Sequence, residues 1–509
     1  MFINLAEYFD LTVKKYPSRI AVVDGEHLVS FSQLYEQSLE VSRAIFKTLK
    51  GDFNNLVAVF LAKSVKSIRA NIAITYSGNF YMNLDIKAPI ARTSGILEIN
   101  RPRLIISDTE GIVKLQELNL AIPILNIDQN SGSNIVDRYH VWENVKKLID
   151  TDPLCIINTS GSTGLPKGVI LNHRSFIDFI EWSTKTLEIG EDEVVGSLSP
   201  LIFDIYSFEL CMLMSRGSTI VLIPEIHSAF PANILKLMLE KSVTFIFWVP
   251  TIMVNIANMD LLSKFHLPDL KTVWFAGEVF PTKQFNYWKK NLDGTKFVNL
   301  YGPIEITLDC TYYIVDRELR DDEPIPIGFP CRNTSILILN DENKAVVGSE
   351  LGELCVRGSS LAMGYYNNPE KTSAAFVQNP LNISYPEIIY RTGDLVHRNE
   401  AGEIIFKGRK DSLIKHLGYR IELGEIEHVI INKLKLVENG CVVYNLNKKE
   451  IVLFYESAEN IEVSEIRKKL SEIFPKYMIP GGFIKMDELP RNANGKVDRL
   501  LLNNNANGK

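Results

Sequence analysis

The stretch Thr159-Ser160-Gly161-Ser162-Thr163-Gly164-Leu165-Pro166-Lys167-Gly168 is the densest group of residues able to do chemistry. Gly, Ser and Thr packed this closely turn backbone N–H groups and hydroxyls toward one point, as anion binding requires, and Lys167 adds a positive charge. An apolar run, LCII, enters the stretch and VIL leaves it. The Walker pattern fails on spacing, because Gly164 is followed by Leu-Pro-Lys-Gly rather than by the residues that pattern needs. A nucleophile elbow fails too, since Ser160 stands where its first Gly should be. Taken alone, the stretch also fits a flexible surface turn.

The elements that must hold this loop are α/β units. Short β-branched runs at Leu56–Leu61, Leu104–Ser107, Leu154–Ile157, Thr219–Ile223 and Phe245–Val249 are each followed by helical spacing. This alternation signals largely buried sheets. From Gly352 the texture changes to closely spaced strands such as Gly352–Gly358 and Glu403–Lys407, with Gly402 supplying a turn. The polar loop Gly408–Asp411 (GRKD) separates this body from a last segment with its own helices (Gly424–Lys433, Ser464–Ile473) and strands (Cys441–Tyr444, Ile451–Tyr455). We place the boundary there, giving domains 1–409 and 410–509. The extreme tail, LLNNNANGK, reads as frayed.

Composition bounds what these units do. The 509 residues include 55 Lys+Arg and 61 Asp+Glu, a net charge of −6, which argues against gripping nucleic acid through the overall field. From Lys410 onward there are 16 Lys+Arg and 14 Asp+Glu, so the tail segment carries +2 and the rest −8; scattered solvated charge accounts for this. The start, MFINLAEYFDLTVKKYP, carries Glu7 and Asp10 where a signal peptide needs an apolar stretch, so a short amphipathic helix ending near Pro17 is expected. The apolar run Phe245–Met259 is interrupted by Pro250, Asn255 and Asn258, too soon to span a bilayer. Six cysteines without a C-x-x-C pair read as core residues of a reducing compartment, and eight histidines show no zinc-ligand spacing. A cytoplasmic protein without membrane or nucleic-acid partners is the expectation.

Four further motifs follow the Ser/Thr/Gly loop in order: Tyr301-Gly302-Pro303-Ile304-Glu305, Tyr390-Arg-Thr-Gly-Asp394, Gly408-Arg-Lys-Asp411 and Asn494-Gly-Lys496. The series resembles the adenylate-forming superfamily, and within it the adenylation domains of nonribosomal peptide synthetases and free-standing carrier-protein ligases. The resemblance runs from about Leu5 to Arg499. It implies an α/β fold with a large N-terminal lobe of sheets and helices and a small, mobile α+β C-terminal lobe. It also implies a two-step ligase reaction in which a carboxylate attacks the α-phosphate of ATP, releasing pyrophosphate, and a thiol then attacks the acyl-adenylate.

By that resemblance the loop from Thr159 through Ser160, Gly161, Ser162, Thr163, Gly164 and Lys167 binds the triphosphate, and Glu305 coordinates Mg²⁺. Asp394 takes the ribose hydroxyls, two of which an ionised carboxylate can accept. Arg409 adds a donor, while Gly277, Glu278, Tyr301 and Gly302 line the adenine slot. Lys496 is the implied catalytic cation between two anions that must approach one another. Asp411 is the implied hinge, about which Lys415 and Gly418 would be brought forward for thioester formation.

The resemblance sets Asp204 against an amino acid's α-ammonium, and a carboxylate beside apolar walls is costly unless a cation meets it. The remaining pocket positions are Ile205, Phe208, Phe247, Trp274, Ala276, Leu300, Leu308 and Asp309. Their bulk implies a compact volume similar to that of prolyl-carrier-protein ligases, so L-proline is the expected substrate. This reading turns Asp309 toward solvent at the loop end; an inward Asp309 would favour serine or a diamino acid. No carrier domain or condensation motif follows, so a separate phosphopantetheinylated carrier protein is the expected acceptor. The alternatives are an acyl- or aryl-CoA ligase, and a non-catalytic adenylate-like subunit that recruits a carrier.

Overall fold

The computed structural model describes residues 2–129, 138–160, 166–410, 413–457, 461–491 and 497–508, with side chains at all of these except 138–141 and 500. The chain divides into two compact units. One comprises residues 1–86, 101–157 and 169–408, the other residues 87–100, 158–168 and 409–509. The two short segments 87–100 and 158–168, which the sequence reading left in the first domain, group with the C-terminal residues.

The first unit is built on three sheets. A nine-stranded sheet runs, edge to edge, Phe329–Pro330, Thr311–Ile314, Lys296–Tyr301, Thr272–Phe275, Phe245–Trp248, Val194–Ser197, Thr219–Leu222, Ile20–Asp24, His27–Ser30. Its central pairs are parallel, with Phe247 beside Trp274 and Trp274 beside Val298. A seven-stranded sheet places Pro153–Thr159 next to Phe80–Asn83 and Lys167–Asn172 next to Gly364–Tyr365. A five-stranded sheet centres on Gly352–Gly358 and Ile388–Arg398.

Side-chain alternation gives the nine-stranded sheet two different cores. Phe245, Phe247, Trp274, Val298 and Leu300 join a buried cluster that also draws on Val57, Val59 and Leu104 of the second sheet. Their neighbours Ile246, Trp248, Val273, Phe275 and Phe297 join a separate cluster with Ile234, Met253 and Trp288. Those three sit on the helices Pro231–Glu240, Pro250–Asn258 and Thr282–Asn291. Pro250, which interrupts the apolar run, opens the second of these helices, where its missing N–H costs nothing.

The amphipathic start is the helix Leu5–Lys15: Asn4 accepts the Glu7 N–H at 3.1 Å, Lys14 and Lys15 lie in the last turn, and Leu5, Phe9 and Thr12 are buried. In the second unit, Asn439–Asn445, Glu450–Glu456 and Gly482–Lys485 form a sheet over a core of Ile426, Ile430, Leu453 and Ile466. The hairpin Leu413–His416/Tyr419–Glu422 turns through Leu417 (φ 54°) and Gly418 (φ 81°), the left-handed pair that two-residue hairpins use.

Three local expectations are corrected. The GRKD stretch does not begin as a loop, since the strand Ile404–Arg409 runs through it. The helix expected over Gly424–Lys433 is α-helical only at Leu423–His428 and widens into a π-turn at Val429–Lys433. The tail is ordered: Arg499–Asn507 is a helix tied to the strand Asn439–Asn445, with Asn445 Nδ2 donating to the Ala506 carbonyl at 2.6 Å and Asn507 Nδ2 to the Tyr444 carbonyl at 3.2 Å. These bonds outweigh the poor helix propensity of an Asn-rich run.

Candidate active site

In the first unit the helix Asp204–Arg216 is buried on all faces from Ile205 to Met214, the mark of a core helix. Asp204 begins it, and its Oδ1 accepts the Ile205 N–H at 2.9 Å, so the carboxylate sits where the helix dipole favours negative charge. Its charge contributes to holding the buried Cys155 thiol up at about 12, although desolvation is the larger cause. One turn on, Phe208 stacks on Trp274 (ring centres 5.3 Å apart, planes at 30°) and meets Phe247 edge-on at 5.7 Å. Ile205, Phe208, Phe247, Trp274, Ala276, Leu300 and Leu308 all belong to one buried cluster. Within that large cluster Phe208, Phe247 and Trp274 are in direct ring contact with one another.

The nearby turn is tightly built. The strand Lys296–Tyr301 leads through Gly302 into a short 3-10 helix, Ile304–Ile306, and then through Thr307 and Leu308, both in the left-handed region at φ 53° and 64°. A Cβ on Gly302 would lie 2.2 Å from the Leu308 carbonyl oxygen and 2.6 Å from the Asp309 Cα, so only glycine permits the close return. Left-handed backbone at non-glycine residues costs on the order of 1–3 kcal/mol each and persists where the surroundings enforce it. The turn carries Asp309 inward. At 3% exposure Asp309 does not face solvent, which corrects the sequence reading.

The same turn places Glu305, fully buried, with Oε1 accepting the Tyr365 hydroxyl at 2.8 Å. Its carbonyl accepts the Ala362 N–H at 2.9 Å. Tyr301, at the end of its strand, donates its hydroxyl to Asp394 Oδ2, while the Asp394 N–H donates to Thr392 Oγ1 at 3.0 Å. Burial, and then the Asp394 charge, push the Tyr301 phenol well above its ordinary pKa, so it remains a donor. Gly277 has φ 92°, a conformation that favours glycine, and Glu278 Oε2 accepts the Thr251 hydroxyl at 2.5 Å.

In the second unit Thr159 and Ser160 are nearly fully buried. Ser160 Oγ donates to the Arg420 carbonyl at 2.8 Å and accepts the Glu422 N–H at 2.9 Å. Lys167 Nζ lies 3.4 Å from Glu422 Oε1. Arg409 closes the strand Ile404–Arg409, and Lys415 pairs with Arg420 in the hairpin. Gly161, Ser162, Thr163, Gly164, Asp411 and Lys496 lie outside the described residues.

The sequence reading missed Tyr365 and Thr251, the hydroxyls that fix the carboxylates of Glu305 and Glu278. Neither lies in a recognisable motif. Tyr365 reaches Glu305 because the short strand Gly364–Tyr365 pairs with Val169 and Ile170. Among the described residues no group of three His, Cys, Asp or Glu could hold a metal ion by itself, and no helix is long and apolar enough to cross a membrane. A single buried carboxylate such as Glu305 fits Mg²⁺ held chiefly by phosphate oxygens, the usual mode for that ion.

A family model described as AMP-binding enzyme matches residues 9–366. Zwittermicin A synthase ZmaJ of Bacillus cereus is 29% identical over 509 residues, covering 98% of this chain and 94% of that protein. An L-proline–[L-prolyl-carrier protein] ligase of Streptomyces coelicolor is 29% identical over 464 residues, covering 87% and 86%. Other relatives are longer, and this chain spans between 11% and 45% of their length. The Vibrio cholerae adenylation domain AlmE, solved with glycyl-adenosine-5'-phosphate, superposes with a TM-score of 0.84 at 20% identity, covering 99% of this chain and 98% of that one.

Proposed function

The chain belongs to the AMP-binding enzyme family, and from that premise we propose that it is a ligase that activates a small amino acid. The amino acid's carboxylate attacks the α-phosphate of ATP, pyrophosphate leaves, and the resulting aminoacyl-adenylate is handed to the phosphopantetheine thiol of a separate carrier protein. The observation that carries this reading is Asp204, a carboxylate at the first turn of a buried helix whose next residues join an aromatic and aliphatic cluster. That arrangement suits an α-ammonium, a group that a fatty or aryl acid lacks.

Each remaining group has a proposed part. Asp394, oriented by Tyr301, accepts the ribose hydroxyls, and Arg409 donates beside them. Lys167 and the Thr159–Gly168 loop receive the β- and γ-phosphates, a task for donors and cations rather than for a covalent nucleophile. Glu305, kept in place by Tyr365, is the protein ligand for Mg²⁺, which when bound neutralises phosphate charge. Lys496 stabilises the charge that builds as carboxylate and phosphate approach. The C-terminal residues after Asp411 alternate between this step and thioester formation.

The substrate side chain has two readings. Proline suits the apolar cluster, and one relative is an L-proline ligase, but the proline expectation required Asp309 to face outward. Asp309 is buried, so a small amino acid with its own donor, serine or a diamino acid, is the second reading. The test is exchange of labelled pyrophosphate into ATP across the twenty amino acids and diamino acids. Serine or a diamino acid ahead of proline supports the Asp309 reading, and the reverse order supports proline. If no amino acid drives exchange while an acyl or aryl acid does, with free CoA as acceptor, the amino-acid reading falls.

A further inference from the structure

Residues 198–203, which lead from the strand Val194–Ser197 into the helix that begins at Asp204, are fastened in an unusual way. Lys63 Nζ donates to the Ser197 carbonyl at 2.9 Å and to the Ser199 carbonyl at 2.7 Å. Asn83 Nδ2 donates to the Leu201 carbonyl at 3.1 Å. Ser197 Oγ in turn donates to Glu209 Oε2, inside the helix. Strand end, connection and helix are therefore tied by one amine, one amide, one hydroxyl and one carboxylate.

The carboxylate is fully buried, and its Oε1 has no hydrogen-bond partner among the described residues. Burial raises the Glu209 pKa to about 7, opposed by the Lys63 charge, while burial lowers the Lys63 ammonium to about 8. Such an arrangement is weak evidence of added stability, since a buried acid and its amine are commonly matched or exceeded by apolar residues of similar volume. What this network supplies is direction. The Ser197 carbonyl also accepts the Ile223 N–H of the sheet at 2.9 Å, whereas the carbonyls at 199 and 201 take their donors from the side chains of Lys63 and Asn83, so the connection is fastened at three points on its way into Asp204.

We propose that Lys63 and Glu209 are positioning residues for amino-acid recognition, holding the connection so that the Asp204 carboxylate meets the substrate's α-ammonium. The inference rests on the reading of Asp204 given above. Neither side chain touches substrate; both act through the backbone of residues 197–203.

The test uses the full chain and its best amino acid, with Lys63→Met, Glu209→Gln and Ser197→Ala compared with Asp204→Asn. Each of the three positioning variants is expected to raise the amino-acid KM by 10-fold or more while the ATP KM stays within 2-fold. Each should also narrow the enzyme's preference for the amino acid over its analogue lacking the α-amino group. Lys63→Arg, which keeps a charged donor, should recover part of the loss. Amino-acid KM and analogue preference unchanged in all three, with Asp204→Asn impaired, overturns the inference and spares the Asp204 reading. Equal rises in both KM values likewise overturn it, because they report a general loosening. An Asp204→Asn variant that binds the amino acid normally overturns the Asp204 reading itself. If Lys63→Met does not fold, Ser197→Ala removes one hydroxyl only and decides the matter.

Discussion

The hydroxyl of Tyr301 hydrogen-bonds the carboxylate of Asp394 across 93 residues of sequence, joining two motifs that each look like an isolated turn. Tyr301→Phe keeps the ring and removes that donor. Leaving a buried carboxylate short of a partner costs about 1–3 kcal/mol, so the melting temperature should fall. The ATP KM should rise several-fold, with the amino-acid KM little changed. Unaltered ATP kinetics would separate Asp394 from nucleotide binding.

Gly302→Ala tests the tight turn. The added methyl meets the backbone of Leu308 and Asp309 rather than a flexible side chain, so the turn must open. We expect a loss of about 1–3 kcal/mol in chemical denaturation, the usual cost of overpacking. Amino-acid selectivity should blur as Leu308 and Asp309 shift, read by repeating the exchange series. A variant with wild-type stability and selectivity would mean that the turn relaxes without consequence.

Lys496→Ala is expected to abolish most adenylate formation, by about 10²–10³-fold, as removal of one electrostatic contact to a transition state does. Transfer from a supplied aminoacyl-adenylate to the carrier thiol should proceed nearly as before. Loss of both steps to the same degree would argue that the lysine serves folding instead.

His173 is fully buried, and its Nδ1 accepts the Leu5 N–H at 3.3 Å. Desolvation lowers its pKa from 6.5 to about 3. Below pH 6.5 the unfolded chain takes up a proton that the folded chain refuses. Stability present above that pH is therefore lost as pH falls toward 3, at up to about 1.4 kcal/mol per pH unit. Denaturation midpoints of His173→Gln should fall less steeply over that window than those of the native chain. Parallel slopes would assign the acid sensitivity to other groups.

Local pattern carried much of the fold. Leu104–Ser107 and Gly352–Gly358 are strands with the expected bounds. The motifs stand out in the sequence because density of Gly, Ser and Thr and the order of short motifs are local properties. Partners across the sheets do not. Tyr365 meets Glu305, and Lys63, just past a strand of one sheet, meets Ser197 at the end of a strand of another, in contacts that no window of sequence contains. Asp309 resembled a loop-end carboxylate until the missing Cβ at Gly302 let the chain fold back on itself. The Asn-rich tail read as frayed because propensity ignores the strand beneath it.

The alternation along Phe245–Trp248 and Thr272–Phe275 has a consequence for substitutions. Successive residues answer to different masters: Phe247 and Trp274 belong to the aromatic neighbourhood around Phe208, while Ile246 and Val273 anchor the strands to the helices behind. A substitution on one face of these strands can thus reshape the aromatic neighbourhood while the opposite face keeps its grip on the helices.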